Sequence, residues 1–264
     1  MDFFNSHDWL NREGPYAFKI EHFMFILITV LIGVGLSLFL LRKNKKTIKI
    51  VLVCLWIAAV IFEVFYYSSV YYQCIIDPTN HPFQLERMLP LHSCSMFMYI
   101  FPFAIFSKNK YVYKAANNFI VVVNMIMGFI TMFVGCPGPG YSVFSFHGIT
   151  TLLYHALIFI VPLIMIVTNY YDLQKEDIKY GLGLFGILAL SIWVFDAIAG
   201  CDYFYIYNGD TFGVLYVISD NVHHLVWTLI TVTCYVLTAL IIHFLIYGIK
   251  TKISSKKEEK ESLQ

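Results

Sequence analysis

Cys94 is the residue of this sequence best equipped to carry a covalent intermediate. It follows Leu89-Pro90-Leu91-His92-Ser93. Proline suits the first turn of a helix, where its missing N–H is harmless. The spacing therefore predicts a helix that starts near Pro90 and carries Cys94 about one turn in, close to the positive end of the dipole, where a thiolate is favoured. A cysteine that transfers an acyl group needs a base to take its proton and return it, and histidine is the usual one. His92 is only two residues away and would face nearly the opposite side of a regular helix. His155, or the adjacent pair His223 and His224, would come from other helices and suit the role better.

These residues lie in or beside long apolar runs, as do Glu63, Asn124 and Asp196. A polar group inside a bilayer costs a few kcal/mol unless it is paired, so each one marks a site or a packing contact. Taken singly, each reads as a helix-packing hydrogen bond. Taken together, Glu63, His92, Cys94, Asn124, His155, Asp196, His223 and His224 read as one site. Asn124 or the helix N-terminus beneath Cys94 would stabilise an oxyanion. Asn117, Asn118 and His243 belong to the opposite side. Cys54 and Cys234 lie in apolar runs and read as small buried hydrophobes. The six cysteines include no CxxC pair, so a structural zinc site of the usual spacing is not expected.

The elements that must position this chemistry are transmembrane helices. The 264 residues are 59% hydrophobic and only 13% charged, whereas a soluble domain carries about 25%. Apolar runs fall at roughly 22–41, 50–72, 89–106, 113–134, 149–169, 180–200 and 222–247, most near the ~20 residues that cross a ~30 Å core as helix. The third run is short and suits a thin or tilted position. Runs apolar on every face have the wrong period for a β-barrel. The fold class is thus all-α, a polytopic seven-helix bundle.

Orientation follows from the cations. Segments 42–49, 107–114, 170–179 and 248–264 hold five, three, two and five Lys or Arg, and the other side holds only Arg12, Lys19 and Arg87. The positive-inside rule then puts the N-terminus outside and the C-terminus in the cytoplasm. This divides the chain into an extracellular segment 1–21, a seven-helix domain 22–247 and a solvated, disordered tail 248–264. Segment 201–221, aromatic and acidic, has the length of a lid. On this orientation the costly polar residues fall in the outer half of the membrane. A net charge of +1 gives no support to a nucleic-acid partner, and no internal repeat points to a transporter.

Three stretches carry a family likeness: LPLHSC, FHGITTLLYHALIFIVPL and DAIAGCDYFYI. In that order they resemble the LPLHxC, FHxxxxHG and GxNYxF elements of the YwaF-type bacterial integral membrane proteins, over roughly helices 2 to 7. That family is itself distantly similar to a eukaryotic multi-pass transmembrane acyltransferase family. The resemblance implies transfer of a fatty acyl chain between phospholipids and lysolipids in the cell membrane through a cysteine thioester, with no cofactor. It matches Cys94 to the family cysteine, His92 to the histidine before it, His155 to the helix-5 histidine and Tyr203 to the tyrosine of the late motif. Asp202 and Cys201 stand where that motif has asparagine and glycine. Two other readings compete. One is a metal-dependent membrane lipid hydrolase or amidase using His155, His223, His224, Glu63 and Asp196. The other is a transporter or lipid-binding protein in which Glu63 and Asp196 hold a proton or cation.

Overall fold

The computed structural model describes residues 20–79, 82–134, 146–207 and 221–262. Among these residues there is no strand. Among the described residues, six helices are long and apolar enough to cross a membrane. The elements are α1 (Ile20–Leu40), α2 (Lys45–Ile76), the short α3 (Leu85–Met88) and α4 (Met96–Phe106). Then come α5 (Lys110–Asn118), a π-helical segment (Phe119–Asn124), α6 (Met125–Val134), α7 (Phe146–Val167), α8 (Ile178–Ala199) and α9 (His224–Ser262). The chain passes from α5 through the π segment into α6 without a break, as one span.

Helix boundaries follow from local capping. Between α1 and α2 the Asn44 side chain accepts the Thr47 amide at 2.8 Å, which satisfies an orphan donor of the first turn of α2. Asn109 does the same for α5, accepting from Tyr111 and Val112. α8 ends at Gly200, whose φ of 68° and N–H to the Asp196 carbonyl make a left-handed helix stop.

The bundle turns its apolar side chains outward as well as inward. Ile187, Leu190, Leu229 and Ile241 are each about two-thirds exposed and Ile198 is 82% exposed. Continuous apolar faces of this kind require lipid as their solvent. The interior is built around α7, which packs on α1, α2 and α6. Gly128 of α6 permits that approach: a Cβ there would stand 3.0 Å from the His155 carbonyl oxygen.

α4 differs from the expected third span. It has 11 residues, about 16 Å at 1.5 Å per residue, and starts at Met96 rather than at Pro90. The cause is local. Leu91 N–H donates to the Leu89 carbonyl at 2.9 Å, closing a γ-turn over Pro90. The His92, Cys94 and Ser95 carbonyls then take the Met96, Phe97 and Met98 amides in tight successive turns. Pro102, inside α4, leaves the Met98 carbonyl without its helical donor. The Trp56 indole N–H of α2 supplies one at 3.1 Å, and its ring stacks on Phe101. At the other end Asn117 donates to the Ala104 carbonyl, tying α4 to α5.

One further difference concerns the last helix. α9 is helical through Ser262, so the described part of the tail expected to be disordered continues the last span; no proline interrupts it after Gly248. The segment 1–19 and residues 208–220 of the expected lid lie outside the described residues.

Candidate active site

The turn His92-Ser93-Cys94-Ser95 is gripped from all sides. From α2, the Glu63 carboxylate accepts the Ser95 hydroxyl at 2.5 Å, and Tyr67, one turn on, lies within electrostatic range of Cys94. From the end of the π segment, the Asn124 amide donates to the Ser93 carbonyl at 3.1 Å. From α7, the Tyr154 hydroxyl donates to the Cys94 carbonyl at 3.2 Å. From α9, the Tyr235 hydroxyl reaches Ser93 Oγ at 3.5 Å. Four spans thus meet on four residues of non-helical backbone. Irregular backbone at membrane depth is tolerated only where protein encloses it, and this enclosure meets that requirement.

Segment 201–207 closes over the turn. Cys201, Asp202, Tyr203, Phe204 and Ile206 are all buried. Tyr203 is held at three points. Its amide donates to Asp196 Oδ2 at 3.1 Å, its hydroxyl to the Leu85 carbonyl at 2.5 Å, and its carbonyl accepts His92 Nδ1 at 2.8 Å. His92 is sandwiched as well, edge-on to Tyr203 and stacked on Tyr205. Tyr205 has a φ of 56°, a left-handed conformation that costs a non-glycine residue on the order of 1 kcal/mol. Its carbonyl is fixed in that position by the Trp227 indole at 2.9 Å. Asp202 repeats the pattern of a carboxylate organising a loop, accepting the Tyr207 amide at 2.9 Å.

His155 stands apart in its bonding. Its Nδ1 faces the Thr151 carbonyl at 2.8 Å. A carbonyl only accepts, so Nδ1 carries the proton and Nε2 presents a lone pair. That Nε2 is buried and makes no hydrogen bond. His155 follows Tyr154, whose ring is 5.5 Å from it and edge-on, and it lies within electrostatic range of His92. An unpaired neutral imidazole nitrogen is a base without a proton to take, set next to the residue that holds the cysteine turn. The Asn124 Oδ1 is a second buried acceptor without a hydrogen bond. One of the two hydrogens on its amide nitrogen goes to the Ser93 carbonyl. The α4 amides of Met96, Phe97 and Met98 are committed in the same way, to the turn carbonyls.

The remaining expected residues are placed differently. His223 is exposed and caps α9, its Nδ1 accepting the Leu225 amide at 3.3 Å. The His224 ring lies beside Tyr207, 5.6 Å between centroids. These two histidines form a rim above segment 201–207, outside the bonds that grip the turn. No three His, Cys, Asp or Glu side chains are grouped as metal ligands among the described residues. Glu63 and Asp196 serve different partners, Ser95 and Tyr203. Sequence reasoning missed Tyr67, Tyr154, Tyr235, Ser93 and Ser95. Ser93 and Ser95 flank Cys94 and Tyr154 precedes His155, which is a signal of adjacency. Tyr67 and Tyr235 carry none.

Asn118, the last residue of α5, meets His243 near the start of α8, and Asn117 precedes it in α5. Asn118 donates to His243 Nδ1 at 3.0 Å, and His243 Nε2 faces the Lys175 carbonyl at 3.2 Å. Nearby, Asp177 accepts from Lys114 at 2.6 Å, from the Tyr171 hydroxyl at 2.7 Å and from the Gln174 amide at 3.0 Å. Burial, and then the bond to Asp177, push the Tyr171 phenol well above its ordinary pKa.

One family model matches the chain, and it covers residues 17–247, taking in every element from α1 to the apolar part of α9. No curated protein and no solved structure matches it. The chain is a multi-pass membrane protein that belongs to the TMEM164 family.

Proposed function

We propose that this protein is a phospholipid acyltransferase of the cell membrane that works through a thioester on Cys94. The observation that carries the reading is the bonding of His155. A buried imidazole with Nδ1 bound to a carbonyl and Nε2 unpaired is prepared to accept a proton, and Tyr154 ties that stretch of α7 to the cysteine turn. The thiol gives its proton to His155 Nε2 as Sγ attacks the ester carbonyl of a lipid. The tetrahedral adduct then collapses, the C–O bond breaks, and the departing lysolipid oxygen takes the proton from His155. A lysolipid hydroxyl resolves the thioester by the same steps in reverse, returning the proton to sulfur. His92, bonded to the Tyr203 carbonyl, is a positioning residue for the cover. Glu63, Asn124, Asp196 and Tyr203 shape the site, and His223 and His224 line its rim, where a lipid headgroup would pass.

The same reading takes α4 with its preceding turn as a seventh span, beside the six long ones. With fifteen of the eighteen Lys and Arg on one side, it puts the N-terminus outside, the C-terminus in the cytoplasm and Cys94 in the outer half of the bilayer. The test is labelling of the purified chain with a phospholipid bearing an alkyne-tagged acyl chain. Wild type should gain a tag that neutral hydroxylamine removes, and Cys94→Ala should not. Equal labelling of both would end the proposal.

A further inference from the structure

An acyl transfer through Cys94 must stabilise the negative oxygen of a tetrahedral adduct, and this inference rests on that reading of the site. The side-chain donors around the turn can be followed one by one. Asn124 Nδ2 places one of its hydrogens on the Ser93 carbonyl at 3.1 Å, Tyr154 is spent on the Cys94 carbonyl at 3.2 Å and the Ser95 hydroxyl on Glu63 at 2.5 Å. His92 Nδ1 is spent on the Tyr203 carbonyl at 2.8 Å. Each of these is a bond of normal or short length whose loss would loosen the turn itself.

Tyr235 is different. Its hydroxyl is shared between Ser93 Oγ and the Phe204 carbonyl, both at 3.5 Å. An O–H donor prefers about 2.7–2.8 Å, so neither bond holds it well. The ring is fixed all the same, 5.2 Å from the Phe185 ring of α8. The phenol also lies within electrostatic range of Cys94, next in the chain to Ser93. It is thus a donor weakly engaged at rest, on a ring packed against α8, and its partner Ser93 precedes the residue that would attack. Catalysis rewards bonds that strengthen only in the transition state, and a donor with two poor ground-state bonds has most to gain.

We infer that the Tyr235 hydroxyl is the oxyanion donor, leaving its long bonds to Ser93 and Phe204 to donate to the carbonyl oxygen as Sγ adds to the lipid ester. The C–S bond forms, the carbonyl π pair moves to oxygen, and the phenol keeps its proton while hydrogen-bonding that oxygen. When the C–O bond breaks, the carbonyl reforms and Tyr235 returns to its resting partners. The role makes Tyr235 a catalytic residue.

The experiment measures acylation rates of the full chain in nanodiscs with a phospholipid bearing an alkyne-tagged acyl chain. Tyr235→Phe keeps the ring against Phe185 and should slow labelling about 10²–10³-fold, the usual loss for one oxyanion donor. Alkylation of Cys94 by a small maleimide should change less than about 2-fold, a threshold well inside that loss. Fluorinated tyrosines at position 235 are stronger donors and should raise the rate as the phenol becomes more acidic. A purely structural tyrosine would show no such trend. Labelling of Tyr235→Phe at the wild-type rate, or a rate indifferent to fluorination, overturns the assignment. Should Tyr235→Phe not fold, the fluorotyrosine series decides alone. Labelling that persists in Cys94→Ala instead removes the acyl-cysteine reading, a separate failure.

Discussion

The Tyr154 hydroxyl donates to the carbonyl oxygen of Cys94 at 3.2 Å, across 60 residues of sequence. The next residue of α7 is His155, with its Nε2 buried and unbonded. One helix therefore clamps the cysteine turn and carries, one residue on, the imidazole with the unpaired nitrogen. Tyr154→Phe should keep the packing of this fully buried ring and lose about 1 kcal/mol of net hydrogen-bond stability. The larger effect should fall on acyl labelling, because a small misplacement of a nucleophile costs up to about 100-fold in rate. Thermal unfolding and labelling rate, measured side by side, separate the two effects.

His155→Ala should slow acyl labelling by about 10²–10⁴-fold, the range for a lost general base. Removing the buried ring also costs packing and the bond to Thr151, so the rate is compared on protein shown to be folded by its thermal unfolding. A variant that labels at the wild-type rate would show that another group takes the thiol proton.

Glu63 and Ser95 make the second anchor of the turn. Ser95→Ala leaves the Glu63 carboxylate, 6% exposed, without the hydroxyl it accepts at 2.5 Å. Leaving a buried polar group without its hydrogen-bond partner costs about 1–3 kcal/mol. Glu63→Gln keeps an acceptor oxygen and should cost less than Ser95→Ala. The order of the two melting temperatures checks this, and the reverse order would mean that Glu63 matters for a partner other than Ser95.

At the opposite end, a side chain at Gly181 would collide with a working hydrogen bond. A Cβ there would stand 2.8 Å from Asn118 Cγ and 3.0 Å from its Cβ, and Asn118 is the residue bonded to His243. Gly181→Ala should therefore displace the Asn118 amide and destabilise by about 1–3 kcal/mol, the cost of overpacking. Asn118→Ala in the same chain should recover part of that loss by making room. A Gly181→Ala protein as stable as wild type would contradict the packing described.

Tyr171 gives a pH signature of the same region. Its folded pKa is raised, so the neutral phenol is the stabilising form. That stability is complete below the unfolded tyrosine value of about 10 and is lost as pH rises through the folded value. Tyr171→Phe should remove the alkaline part of the stability loss while lowering stability at neutral pH, through the bond to Asp177. Melting curves at pH 8 and about pH 11, a choice that brackets the unfolded tyrosine value, separate the two forms.

Much of this arrangement was legible in the sequence, for physical reasons. Long apolar runs announce spans because the bilayer leaves no other solvent for them. The polar residues divide into two ends because each costs free energy wherever it cannot pair, and Asn118 and His243 did fall together, apart from Cys94. The turn itself was not legible. Pro90 fits the first turn of a helix and the centre of a γ-turn equally well, and only the tertiary clamps on Ser93, Cys94 and Ser95 choose between them. FIVVVN carries no mark of a π segment, yet that segment sets Asn124 against Ser93. A tyrosine in an apolar run reads as bulk, which concealed Tyr67 and Tyr235.

The central claim is that Cys94 carries the acyl group, and site-resolved mass spectrometry tests it most directly. Wild-type protein incubated with diacyl phospholipid and quenched in acid should yield a Cys94 peptide heavier by one fatty acyl group. Neutral hydroxylamine should remove that mass, and a lysolipid acceptor should discharge it. A Cys94 peptide that stays unmodified while the protein transfers acyl chains between lipids would contradict the account.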